Sequence, residues 1–140
     1  MRPNRYIALD DLNYRHRKYT WWGAYSQSKL ANHLFVAELA RRGVRAYASD
    51  PGATDTDITR SMEVARYDRM RGLLHTPGQG ARASIQAVTT DLPSGTYLAP
   101  RFNQFGPPRV TKLRRKAVDP VMARALWDRS CELTECEWPR

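Results

Sequence analysis

Of the 140 residues, two are cysteine and three are histidine. Cys131 and Cys136 lie five apart in a run that reads as helix, where that spacing points side chains in different directions, so they read as free thiols. His16, His33 and His75 have no ligand-like spacing to one another or to the cysteines, and no metal is assigned. Long apolar runs are missing as well. Nothing approaches the ~20 residues of a membrane span, and Met1-Arg2-Pro3-Asn4-Arg5 lacks the apolar stretch of a signal peptide. The expectation is a cytoplasmic protein without a membrane span. No glycine-rich phosphate loop is present either: Thr76-Pro77-Gly78-Gln79-Gly80 lacks the lysine and the glycine spacing of one and reads as a helix start.

What is present is enough apolar material, 41% of residues, for one domain with a core. The net charge of +9 raises nucleic-acid binding. Its densest tracts, Arg15-His16-Arg17-Lys18 and Lys112-Leu113-Arg114-Arg115-Lys116, come without a nucleic-acid motif. Arginine outnumbers lysine nineteen to four across the whole chain. No specific nucleic acid is expected, and a basic nucleic-acid-binding role ranks third among the readings.

The chain is organised around Tyr25-Ser26-Gln27-Ser28-Lys29. A tyrosine and a lysine four apart share one face of a helix, where the ammonium favours the phenolate. Tyr25 then reads as a catalytic acid/base and Lys29 as its tuner. Spacing alone is weak evidence, since seven tyrosines and four lysines give about 0.2 such pairs by chance. Tyr14 and Lys18 have the same spacing in a polar stretch that reads as solvated surface.

Residues 1–20 read as a loop. Trp21 and Trp22 read as packing against the helix that follows, with walling a pocket as the other use. Leu30, Ala31, Leu34, Phe35 and Leu39 make one apolar stripe from Tyr25 to Arg42, with Thr20 as N-cap, Arg41 and Arg42 against the helix dipole, and Gly43 as a left-handed stop. Val44–Ser49 reads as a strand ending at Asp50-Pro51-Gly52, an α/β unit whose loop Ala53–Asp57 is rich in hydroxyls for phosphate or amide groups, or equally for turns and caps. Residues 58–75 are weakly amphipathic, as a lid would be. A helix follows from Thr76 to about Thr90, then a strand near Gly95–Pro100, a loop from Arg101 to Lys116, and a last helix capped by Asp119 with Pro120 in its first turn.

The run Tyr25-Ser26-Gln27-Ser28-Lys29-Leu30-Ala31-Asn32, the strand ending at Pro51-Gly52 and the hydroxyl at Thr56 resemble the C-terminal half of a short-chain dehydrogenase/reductase. Leu9-Asp10-Asp11-Leu12-Asn13 and the stretch from Ala125-Leu126-Trp127 to Leu133-Thr134 narrow the resemblance to the retinol-dehydrogenase-like and protochlorophyllide-reductase-like branch. It implies an α/β fold: the C-terminal part of a doubly wound, Rossmann-type parallel sheet with the N-terminal βαβ half absent. One partial Rossmann-like domain would span 1–140, divided into a loop (1–20), catalytic helix and following strand (21–56), substrate lid (57–75) and a C-terminal helix–strand–loop–helix (76–140).

By this resemblance the chain is an NAD(P)-dependent oxidoreductase acting on a carbonyl or secondary alcohol, with a lipophilic substrate and a homo-oligomeric state among its expected partners. Tyr25 would be the acid/base, and Lys29 would also bind the nicotinamide ribose of NADP or NAD. The backbone at Pro51 and Gly52 would face the carboxamide, and Thr54 and Thr56 would lie on the cofactor side, Thr56 near the phosphates. No glycine-rich loop, Asn-Ala-Gly segment or catalytic serine precedes Tyr25, and Ser26 and Ser28 share its helix. A truncated piece, not active alone, is therefore expected, and two strands leave a parallel edge open, so the lone chain is expected to be partly molten or to aggregate. The second reading is a non-catalytic remnant or interaction module.

Overall fold

A computed structural model describes residues 7–56, 72, 74–102 and 104–136. The fold is mixed α/β, a partial Rossmann-like arrangement with a three-stranded sheet. It divides into two compact units, the first made of residues up to Ala46 and from Leu113 on, the second of Tyr47–Lys112. The expected lid, 57–75, lies outside the described residues except for Gly72, Leu74 and His75.

In the first unit, α1 runs Trp21–Arg41, four residues earlier than its apolar stripe begins. Thr20 sets that start: its Oγ1 accepts the Gly23 N–H at 3.3 Å, so both tryptophans belong to the first turn. Gly43, at φ +80°, ends the helix as its position predicts. Arg41 and Arg42 do more than face the dipole. Both clamp the fully shielded Glu38, Arg41 through Nε (2.8 Å) and its terminal nitrogen (2.7 Å), Arg42 through Nε (2.8 Å). The Arg41 hydrogen bond above all, then that of Arg42, holds the Glu38 carboxyl below its ordinary range against burial, which would raise it.

The last helix, α3, covers Pro120–Thr134. Asp119 Oδ1 accepts the amides of Val121 (3.0 Å) and Met122 (3.3 Å), and proline at the first position has no N–H to satisfy. Its Ala123 and Leu126 meet Leu34 of α1 and Ile7, with Leu9, Leu12, Leu30, Ala31 and Met122 around them. Burying a leucine such as Leu34 contributes about 1.5–3 kcal/mol. Phe35 stacks on Trp127 at 5.0 Å, and Arg42 lies 4.4 Å from the centre of the same indole. Cys131, in α3, and Cys136, beyond it, are free thiols.

In the second unit, β1 (Ala48–Ser49) pairs in parallel with β2 (Tyr97–Pro100), and β2 pairs antiparallel with β3 (Pro108–Val110). β1 is shorter than the run Val44–Ser49: its register pairs Ala48 with Tyr97, the first residue of β2, which follows directly on the Pro93–Thr96 turn. β3 corrects the expected loop at 101–116. Prolines and arginine hide its alternation, and proline is tolerated there because β3 is an edge strand. A 3-10 turn at Arg115–Val118, in the first unit, occupies the end of the same stretch. α2, Pro77–Thr89, begins as its sequence predicts, with a reciprocal Thr76–Gln79 capping box. Its Ala83 and Ala87 pack on Leu98 of β2, beside Tyr47 and Leu92.

Among the described residues no helix is long and apolar enough to cross a membrane.

Candidate active site

The first unit shows how α1 is fixed before it shows what α1 presents. Asp11, 6% exposed, receives the backbone amides of Arg15 (2.6 Å), His16 (3.3 Å) and Arg17 (2.9 Å), and Arg17 Nε at 3.2 Å. Burial alone would raise the Asp11 carboxyl, but these amides and the guanidinium outweigh it and hold it below its ordinary value. Arg17 reaches on to Gln27 Oε1 at 2.9 Å, and Gln27 Nε2 donates to the Leu12 carbonyl at 3.0 Å. A buried glutamine on α1 is therefore satisfied at both ends of its amide.

This network was not foreseen. The signal was an aspartate heading a polar run, which is how a side chain caps a turn. The Tyr14–Lys18 pair is likewise not plain surface: Tyr14 sits at φ +55°, and Arg17, partly buried, lies 4.1 Å from the centre of its ring.

The face of α1 away from Gln27 carries Trp21, Tyr25 and Lys29 at successive turns. Trp21 and Tyr25 stack with centroids 5.7 Å apart and planes 10° off parallel, and Trp22 meets Tyr25 edge-on at 6.0 Å. Lys29 Nζ lies 5.5 Å from the centre of the Tyr25 ring. Tyr25 is 47% exposed and Trp22 65%, so the indoles pack against the first turn of the helix, as expected, but do so at the surface, beside the phenol. Ser28 Oγ donates to the Tyr25 carbonyl at 2.8 Å, which keeps it on the helix.

The second unit holds the other predicted residues in one turn. The Asp50 carboxylate accepts the Gly52 N–H (2.8 Å) through Oδ1 and the Tyr97 hydroxyl (3.1 Å) through Oδ2. Burial first, then the charge and hydrogen bond of Asp50, push Tyr97 up to about 12, so it stays a neutral donor. Gly52 has φ +70°, and a Cβ there would meet the Gln104 carbonyl oxygen at 2.5 Å. Ala53 N–H donates to that carbonyl (3.0 Å) and Asp55 N–H to the carbonyl of His75 (2.9 Å). Among the described residues the Thr54 N–H has no partner. Thr54 Oγ1 donates within the turn, to the carbonyls of Pro51 (3.2 Å) and Gly52 (3.4 Å), and packs under Gly80 of α2. Thr56 is half-buried at the end of this described stretch.

The structure thus brings Tyr25 together with Lys29 in the first unit, and Pro51, Gly52, Thr54 and Thr56 together in the second. Chemically, the first offers a solvent-facing phenol beside an ammonium and two indoles. The second offers, among the described residues, one uncommitted backbone donor on a turn braced on several sides.

No family model matches the chain. It is 35% identical to human retinol dehydrogenase 11 over 119 residues, 79% of this chain and 35% of that protein. Against human retinol dehydrogenase 14 the identity is 34% over 132 residues, 87% of this chain and 38% of the relative. A crystal structure of an uncharacterised protein from Mycobacterium paratuberculosis superposes with a TM-score of 0.77 at 39% identity, covering 96% of this chain and 47% of that one. Relatives of this kind make the chain an oxidoreductase homologue by class. It is a homologue of the short-chain dehydrogenases/reductases, on their retinol-dehydrogenase-like side, and corresponds to the C-terminal part of such a protein. The chain spans little more than a third of the length of these two curated relatives.

Proposed function

We propose that this chain carries the proton-handling helix and the nicotinamide-facing turn of an NAD(P)-dependent oxidoreductase that interconverts a carbonyl and a secondary alcohol on a lipophilic molecule. The observation that carries this reading is the exposed Tyr25 phenol, stacked on Trp21 with Lys29 above its ring, on a helix whose opposite face is buried at Gln27, Leu34 and Glu38. Tyr25 gives its hydroxyl proton to the substrate oxygen in reduction and takes one back in oxidation. Lys29 has no carboxylate within ion-pair distance among the described residues, which leaves its ammonium for the nicotinamide ribose and for the phenolate.

The turn fits the cofactor's carboxamide. A primary carboxamide needs a donor for its oxygen, and among the described residues the Thr54 N–H is uncommitted while its neighbours at Gly52, Ala53 and Asp55 are bonded. Pro51 and Gly52 shape that turn, and Thr56 stands on its phosphate side. The nicotinamide, when bound, supplies or accepts the hydride. Trp21 and Trp22 offer a flat apolar wall beside Tyr25, which supports a lipophilic substrate, as do relatives named for retinol.

Titration of the whole chain with NADPH and with NADH, read by nucleotide fluorescence, tests the cofactor. Absence of saturable binding by either ends that reading. In a reductase assay with retinaldehyde, Tyr25→Phe is expected to lower any rate that the chain shows by about 100-fold or more without changing the nucleotide Kd. An unchanged rate would move the acid/base elsewhere.

A further inference from the structure

His75 does more in the second unit than precede the cap of α2. Its main chain bridges Thr54: the His75 N–H donates to the Ala53 carbonyl (2.8 Å) and its carbonyl accepts the Asp55 N–H (2.9 Å). Its ring then grips the same turn from the side. Nδ1 lies 3.0 Å from the Pro51 carbonyl oxygen, and Nε2 lies 3.1 Å from the Gly106 amide nitrogen. A carbonyl can only accept and an amide N–H can only donate, so partner chemistry assigns the proton to Nδ1 and the lone pair to Nε2. Making both contacts at once requires a single tautomer, with the proton on Nδ1.

Gly106, at φ +91°, belongs to the β2–β3 hairpin loop, and that loop also supplies the Gln104 carbonyl to Ala53. Phe105 meets the imidazole edge-on at 6.4 Å. Two segments distant in sequence, 51–55 and 104–106, thus meet at His75.

We propose that His75, as its neutral Nδ1–H tautomer, is the positioning residue that sets the Pro51–Thr54 turn for the nicotinamide carboxamide. By fixing the Pro51 carbonyl and both main-chain neighbours of Thr54, it determines where the Thr54 N–H points. It touches no reacting atom. The proposal rests on the cofactor reading above, and its test separates the two.

In the first arm, the full chain with ¹⁵N-labelled histidine is examined by long-range ¹⁵N–¹H correlation at neutral pH, with His75→Gln identifying the signal among the three histidines. Expected is a protonated Nδ1 and a bare Nε2. An Nε2–H tautomer overturns the proposal whatever the nucleotide does. In the second arm, NADH is titrated against His75→Asn, which keeps a donor toward the Pro51 carbonyl, and His75→Phe, which keeps the ring shape without either hydrogen bond. Expected is a Kd about tenfold weaker for His75→Phe and within about threefold of the parent for His75→Asn, with closely similar melting temperatures. Equal Kd values for parent and His75→Phe overturn the positioning role. If the parent binds no NADH, the cofactor reading falls and takes the nicotinamide role of His75 with it, while the tautomer still decides whether the clamp exists.

Discussion

Gly43 and Gly52 both occupy the left-handed region, at φ +80° and +70°, and an alanine at either must adopt a conformation that costs about 1–2 kcal/mol. What differs is the space around them. Nothing lies within 4 Å of a Cβ at Gly43, whereas at Gly52 it meets the Gln104 carbonyl oxygen at 2.5 Å and Pro100 Cγ at 2.7 Å. Neither obstacle is a flexible tip: one is backbone, the other a strand proline. The hairpin loop must shift, and with it goes the 3.0 Å bond from Ala53 N–H to Gln104, leaving an unsatisfied amide worth about 1–3 kcal/mol. Gly43→Ala is therefore expected to cost about 1 kcal/mol and Gly52→Ala about 3–4 kcal/mol. Native-state amide exchange reads each change locally. Protection of the Val44 N–H, which donates to Leu39, should fall less than tenfold in the first variant, and that of Ala53 by at least about thirtyfold in the second. Equal losses at the two positions would refute the steric argument and leave only backbone strain.

The remaining predictions concern the first unit and the substrate. Asp11 and Glu38 both have folded-state pKa values below their ordinary values of 3.8 and 4.5, so the native chain holds fewer protons than the unfolded one. The stability they contribute is fully present above about pH 4.5 and is lost as pH falls through the lower folded values. Tryptophan fluorescence against pH should show an acid transition that shrinks in Glu38→Gln, and an unchanged acid limb would contradict the assignment. Trp22→Ala should cost only about 1 kcal/mol from its ring contacts, because the indole is largely exposed. The same variant should raise KM for retinaldehyde about tenfold with little change in kcat, the pattern of lost uniform binding. An unaltered KM would return Trp22 to the role of surface residue.

The helices were largely legible because their signals are local. Thr20, Thr76 and Asp119 cap where a short polar side chain precedes a periodic run, and Gly43 ends α1 where only glycine fits easily. The strands were less so. β1 is cut to two residues by the register of a partner nearly fifty positions away, and β3 carries proline and arginine where an alternating pattern would normally be sought. Within the candidate site, Tyr25, Lys29, Pro51, Gly52 and Thr54 were chosen by spacing, loop position and resemblance. Asp11, Gln27 and His75 were not, because each acts through partners distant in sequence or through main-chain groups, which composition does not reveal. The exposure of Trp21 and Trp22 ran against the usual habit of large aromatics and could be known only from the folded helix.

Gln27 has a consequence beyond filling its own hydrogen bonds. A helix seated by leucines alone can rotate or slide by a fraction of a turn with little loss, because apolar contact is indifferent to direction. An amide that must present its nitrogen to one carbonyl and its oxygen to one guanidinium admits a single angular setting. Gln27 follows Tyr25 by two residues, roughly 200° around the axis, so locking the inward amide aims the phenol outward in a fixed direction. The loop headed by Asp11 is in that sense the sighting device of α1: it never approaches a substrate, yet it sets the bearing of the group that would.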